Sequence, residues 1–406
     1  MHPFEPMAGY DNHVRLSSSK TRSTADAVHK GLPGALRSAA RLWFLLLILA
    51  GLSLTGWAQN GDFASLTASA DAARQQGDVS RAIELYRKAT EENPGWPDGW
   101  WFLGSLQYDQ NQYLPAREAL TRYLQLTPNG GPALALRGLC EFETGEYVQS
   151  LADLEQAESR GAANQPRNTQ IILYHEALLL THLGRFEEAL GKLAILAKQQ
   201  ADNQDMAVAL GLAGLRMNLF PKDVQPDETA LLSSVGKAAI LLMNQDYEGS
   251  LRGFQALFAQ YPHVANIHYL YGYLLFPTKP DEAIEQFRQE LAISPRSANA
   301  HAMYAWALGL QGNYAAALSD AAKAATEDPS LPMGQLVYGR ALVETGDSQA
   351  GLPHLQNVLQ TEPGNLEAHL TLAKAYSELG RSEDARRERL ICLSISQQGA
   401  TPVAAQ

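Results

Sequence analysis

Small residues return along this chain at a nearly fixed interval. They stand at Ala82, Ala116, Ser150, Ala189, Ser250, Ala283, Ala317, Gly351 and Ala385, with spacings of 34, 34, 39, 61, 33, 34, 34 and 34. A second series lies twelve positions earlier, or eleven in the sixth unit: Ala70, Gly104, Gly138, Ala177, Ala238, Gly272, Ala305, Gly339 and Ala373. Four positions after the first series a bulky side chain recurs at Tyr86, Leu120, Leu154, Leu193, Phe254, Phe287 and Leu355. Two small residues facing each other let helix backbones approach, and the bulky one fills the adjoining hollow. The pattern therefore predicts nine helix-turn-helix units stacked one on the next.

Polar punctuation supports the same division. Between the two small residues of a unit lie Gly77-Asp78, Gly145-Glu146, Gly184-Arg185, Gly312-Asn313, Gly346-Asp347 and Gly380-Arg381, where glycine accepts the left-handed backbone that closes a helix. Pro94, Pro128, Pro262, Pro295, Pro329 and Pro363 are placed to stop the second helix of a unit and re-aim the chain. The spacing of 39 puts a few extra residues near Gly161 to Asn168, read as a surface loop. The spacing of 61 leaves room for an additional amphipathic helix over about Asp205 to Leu219 and a connector from Pro221 to Pro226.

These residues resemble the tetratricopeptide repeat family over about residues 63 to 396. The resemblance implies an all-α, right-handed superhelical solenoid, with repeats one to four in 59–204, the inserted helix and connector in 205–230, repeats five to nine in 231–396 and a disordered tail at 397–406. In the last unit the bulky position is Arg389, which suits a terminal repeat whose outer face meets water.

Residues 1–58 differ in character. They carry Arg15, Lys20, Arg22, Lys30, Arg37 and Arg41 against Glu5, Asp11 and Asp26, and then an apolar run from Leu42 to Leu54 leading into Gly56-Trp57-Ala58-Gln59. That is the pattern of a secretory signal, or of an uncleaved anchor formed by Leu42 to Ala58. Under either reading the downstream chain is translocated, to the periplasm or cell envelope.

Charge narrows the partners. The whole chain is −11, and residues 59–406 hold 26 Lys/Arg against 40 Asp/Glu, about −14, which is unfavourable for nucleic acid and for anionic membrane surfaces. Membrane association is expected only through the N-terminal segment. The two cysteines, Cys140 and Cys392, read as buried, inert side chains.

Catalytic chemistry is not legible. His175-Glu176 begins like a zinc-protease helix, but the second histidine position is Leu179; GxSxG, P-loop, GxGxxG and CxxC patterns do not occur. His175 and His182 share a helix face without a third ligand in view, and Glu91-Glu92 and Glu187-Glu188 read as solvated charges. No cofactor is expected. An enzyme with an unrecognised site stays as an alternative.

The family resemblance further implies that the first helix of each unit lines a groove. It assigns to that groove Trp101, Tyr108, Phe142, Tyr174, Tyr269, Tyr273, Phe276 and Trp306, with Arg340 and Lys374 placed to receive a carboxylate. Some of these rings serve packing between repeats, but so many Trp and Tyr on one wall suit a covering protein or peptide. The expectation is a non-catalytic exported scaffold; the alternative is a membrane-anchored accessory subunit of an envelope assembly.

Overall fold

Most turns between the two helices of a repeat are built by a pair of adjacent residues. Gly77, Gly145, Gly184, Gly312, Gly346 and Gly380 all take left-handed backbone, with φ between +74° and +95°, as their positions predict. At three of these turns the next residue caps the following helix, and after the left-handed Gln245, Asp246 does the same: the side chains of Asp78, Asn313, Asp347 and Asp246 accept from the amides of Arg81, Ala316, Ala350 and Gly249. One residue ends a helix and its neighbour satisfies the open amides of the next.

The computed structural model describes residues 62–162, 166–198 and 203–399. Among them the chain is all helical. The pairs are α1 (62–75) with α2 (Val79–Glu92), α3 (Pro97–Asp109) with α4 (Tyr113–Leu126), α5 (Gly131–Thr144) with α6 (Tyr147–Ser159), and α7 (Pro166–His182) with α8 (Phe186–Ala197). After α9 (Gln204–Gly214) comes α10 (Pro226–Met243) with α11 (Tyr247–Gln260), then α12 (Ile267–Leu275) with α13 (Pro280–Ile293), and α14 (Ala298–Leu310) with α15 (Tyr314–Glu327). The last pairs are α16 (Pro332–Glu344) with α17 (Ser348–Thr361) and α18 (Leu366–Glu378) with α19 (Ser382–Gly399). The nine predicted units are thus nine helix pairs, and α9 is the inserted helix between them. The leader and the Leu42 to Ala58 segment lie outside the described residues. Among those that are described, no helix is long and apolar enough to cross a membrane.

Chain contacts group into two compact units that part within α7, after Glu176. In the first, the small residues meet as their spacing predicts. A Cβ added to Gly104 would lie 2.8 Å from Leu120 Cγ, and one added to Gly138 would lie 3.0 Å from Leu154 Cγ. Ser150 Oγ donates to the Gly138 carbonyl at 2.7 Å, so the hydroxyl joins the two backbones it separates. Tyr86, Leu120 and Leu154 are fully buried at the bulky position.

The second unit repeats the arrangement. Gly339 meets Leu355 with 2.8 Å for an added Cβ, Gly351 faces the Gly339 carbonyl at the same distance, and Ser250 Oγ donates to the Ala238 carbonyl at 3.0 Å. Each helix that precedes one of the six predicted prolines ends two residues before it. The proline leaves its own carbonyl open, and a side chain six residues on closes it: Trp100 to Pro94 at 2.9 Å in the first unit, and His301 to Pro295, Gln335 to Pro329 and His369 to Pro363 at 2.9–3.0 Å in the second.

Three expectations change. The inserted helix is not amphipathic: Met206 to Gly214 are all buried, and α9 packs on α10 through glycines with backbone facing backbone. Pro166 to Asn168, read as loop, already form the first turn of α7. At the other end, α19 continues to Gly399, three residues into the segment expected as tail.

Candidate functional site

The glycine or alanine of the second small-residue series sits deep in each first helix, and the residue after it is carried to the helix flank. In four successive repeats that next residue is Tyr273, Trp306, Arg340 and Lys374. All four are half-buried. The Arg340 guanidinium lies over the Trp306 ring at 5.0 Å and over Tyr314 at 5.4 Å, and it donates to the Tyr314 hydroxyl at 2.8 Å. Trp306, Gly309, Tyr314, Val337 and Arg340 line a small hollow. One turn beyond Trp306, Leu310 is 54% exposed. Cation, ring face and exposed leucine therefore form a mixed surface able to hold an apolar segment with a polar end.

The two cations already have carboxylates. Arg340 pairs with Glu367 at 2.8 Å, and Lys374 with Glu344 and, at 3.9 Å, with Glu378. A carboxylate on a ligand would have to displace an intramolecular one, which the expectation for Arg340 and Lys374 did not include. Lys374 keeps 41% of its side chain exposed against 17% for Arg340, so it is the more accessible of the two.

Tyr269 departs from its predicted place. It is 3% exposed, and so belongs to the packed interior and not to an open wall. Its hydroxyl donates to Glu187 at 2.9 Å, and Arg216, which also binds Glu187, lies over the rings of Phe186 and Tyr269. Burial, then the Glu187 charge, raises the Tyr269 hydroxyl well above the usual tyrosine range. Glu187 is accordingly a paired charge and not a free one: it joins α8, Arg216 just after α9, and α12, whereas Glu188 pairs with Arg185 at the exposed surface. Tyr273 stacks on Tyr269 at 6.2 Å, and Phe276 lies 6.5 Å from Phe287. Of the three second-unit tyrosine and phenylalanine candidates, Tyr273 and Phe276 keep partial exposure. His182 stacks on Phe220 at 4.4 Å.

In the first unit the four candidates are half-buried and each rests on another ring. Trp101 meets Tyr123 at 5.7 Å, Tyr108 meets Tyr113 at 5.6 Å, Phe142 meets His175 edge-on at 5.1 Å, and Tyr174 meets His175 at 5.9 Å. His175 donates through Nδ1 to the Ile171 carbonyl at 2.8 Å, and burial lowers its pKa. Behind this wall, Gln107 and Glu141 occupy the same register in neighbouring repeats. Both are buried, and each has a side-chain oxygen with no hydrogen-bond partner among the described residues. Arg137 is drawn to Asp153 through bonds of 2.5 and 2.8 Å and stays 4.0 Å from Glu141. Burial, followed by the Asp153 charge, pushes Glu141 up to about 7.

Both cysteines are free and buried. Burial pushes the Cys140 thiol up to about 12 and raises that of Cys392, so neither is disposed to react as thiolate. Among the described residues no group of three or more His, Cys, Asp and Glu side chains is arranged to hold a metal ion.

Family profiles agree with the helix pairs over the residues they match. One tetratricopeptide repeat profile matches residues 67–131 and 278–332, and another matches 342–388; tetratricopeptide repeats are present in both units. Anaphase-promoting complex subunit 3 of Schizosaccharomyces pombe is 23% identical over 195 residues, 46% of this chain. The chain spans 29% of that relative's length. Among solved structures, that of MamA is 17% identical and covers 39% of this chain and 94% of its own, with a TM-score of 0.35. YrrB, described as a TPR protein with an unusual peptide-binding site, is 17% identical over 40% of this chain and 84% of its own, with a TM-score of 0.36.

Proposed function

We propose that this chain is a non-catalytic tetratricopeptide scaffold that acts outside the cytoplasm and holds a protein or peptide segment along the first helices of its last four repeats. The observation that carries the reading is the column of Tyr273, Trp306, Arg340 and Lys374, one residue from each of four consecutive first helices at one register. A segment lying along it would cover Leu310, pack on Trp306, and place a carboxylate at Lys374 in competition with Glu344. An extended apolar segment containing proline has that chemistry, since proline restricts its backbone before binding. The acidic balance of residues 59–406 supports a protein partner over nucleic acid. Export rests on the basic leader and the Leu42 to Leu54 run.

The test is affinity capture from envelope fractions with the full chain, beside a Tyr273→Ala/Trp306→Ala variant shown by circular dichroism to be folded. A partner captured by the parent and absent from the variant supports the column as the binding wall. A partner captured equally by both would remove it.

A second reading has one observation in its favour: Leu42 to Ala58 offers 17 mostly apolar residues, near the lower limit for a membrane span. Retained, this segment would tether the repeats as an accessory subunit of an envelope assembly. The N-terminal sequence of the mature protein and its fractionation with membranes distinguish the tethered from the released form.

A further inference from the structure

Within the second unit each repeat covers the end of the one before it, and among the described residues nothing covers the ninth in that way. Leu336 of α16 is 5% exposed because it lies in a cluster with Ala368, Leu372 and Tyr376 of α18; Leu370, thirty-four residues on, is 47% exposed. Leu359 of α17 packs against the same cluster, and its counterpart Leu393 is 58% exposed. Gln356 donates to the Tyr376 hydroxyl at 3.0 Å across that contact, and its counterpart Leu390 is also 58% exposed.

Two further positions change character. Leu352 and Leu355, both buried under α18, are replaced in α19 by Arg386 and Arg389. At 100° per residue, Arg386, Arg389, Leu390 and Leu393 fall on one face of α19. Neither arginine is in an ion pair among the described residues, whereas Arg381 and Arg387 both bind Asp384. Among the described residues the ninth repeat thus presents a leucine-bearing contact face with two exposed, unpaired arginines set into it.

We infer that this face docks an amphipathic helix of a partner protein, about three to four turns long, with an apolar stripe flanked by carboxylates. The length follows from α18, whose 13 residues perform the same covering one repeat earlier. The carboxylates follow from Arg386 and Arg389, which would be buried by any helix seated as α18 is seated and then need opposite charge. A second copy of this chain does not meet that need, since a two-fold contact through this face would bring four arginines together.

The test uses fluorescence anisotropy of the full chain with a labelled synthetic helix of about 14 residues carrying leucines on one stripe and glutamates beside it. The expected result is saturable binding, weakened roughly tenfold or more by Arg386→Glu/Arg389→Glu, and lost with Leu370→Asp/Leu393→Asp. The arginine-reversed variant should instead bind the same peptide with lysines replacing glutamates. Circular dichroism of these surface variants should match the parent. Absence of saturable binding, equal affinity across the variants, or equal binding of the lysine peptide to the parent would overturn the inference. So would a parent dimer in sedimentation that Leu370→Asp/Leu393→Asp dissociates, because a second copy would then occupy the face.

Discussion

Gly236 of α10 lies so close to Ala207 of α9 that a Cβ on the glycine would stand 1.8 Å from the Ala207 carbonyl oxygen. The approach is mutual, since a Cβ on Gly211 would stand 2.2 Å from the carbonyl oxygen of Leu232. These contacts are with backbone, which cannot swing aside as a side chain can. Gly236→Ala should therefore separate the helices and cost about 2–3 kcal/mol or more of stability. Gly191→Ala in α8, where an added Cβ meets nothing within 4 Å, should instead gain roughly 0.5–1 kcal/mol by helix propensity. Denaturant midpoints of the two variants check the contrast; equal effects would contradict the close packing of α9.

Two units close their first helix with a left-handed residue other than glycine. Asn111 and Gln245 take φ of +57° and +66°, a conformation that strains side chains other than glycine and, to a lesser degree, asparagine. Gln245→Gly should raise stability by about 0.5–1 kcal/mol, seen as a higher melting temperature with unchanged circular dichroism. A loss of stability would mean that the Gln245 side chain contributes more than its backbone strain costs.

Glu141 ties stability to pH. Its ordinary value is 4.5, and burial raises it to about 7 in the folded chain. Below pH 4.5 the carboxyl is protonated in both folded and unfolded states; as pH rises toward 7 the unfolded chain releases a proton that the folded chain keeps, and stability falls. Glu141→Gln should remove that part of the pH dependence and stabilise the protein at pH 8 by roughly 1–3 kcal/mol. Chemical denaturation at pH 5 and pH 8 reads it directly, and an unchanged slope in the variant would exclude Glu141 as its source.

Much of the fold was legible because close helix packing demands particular sizes at particular intervals. Ala82 and Ala70, or Ser150 and Gly138, stand twelve residues apart for the same reason in every unit but the sixth, where Gly272 and Ala283 stand eleven apart, and the reason acts locally. The inserted helix was harder to read. A segment buried on all sides, such as Met206 to Gly214, lacks the polar face that amphipathic periodicity requires. The candidate wall was legible as a set of positions but not as a set of exposures. Tyr269 and Tyr273 are four residues apart on one helix, and long-range contacts of Tyr269, among them those with Glu187 and Arg216, distinguish the buried ring from the half-buried one. Likewise, the partners of Arg340 and Lys374 lie 27 and 30 residues away in neighbouring repeats, and many acids in a repetitive chain satisfy such a spacing. Leu310 and Tyr314 flank Trp306 and could have been found by asking which residues lie one helical turn from it, or just across the turn.

Site-specific photo-crosslinking asks whether a partner lies along the column from Tyr273 to Lys374. A photoreactive residue at position 310, one turn from Trp306, is compared in living cells with one at position 252, whose side chain is 71% exposed on the second helix α11. A segment held along the column gives a partner adduct from position 310 that disappears when Trp306→Ala is added, and none from position 252. An adduct from position 252 with none from position 310 would contradict it.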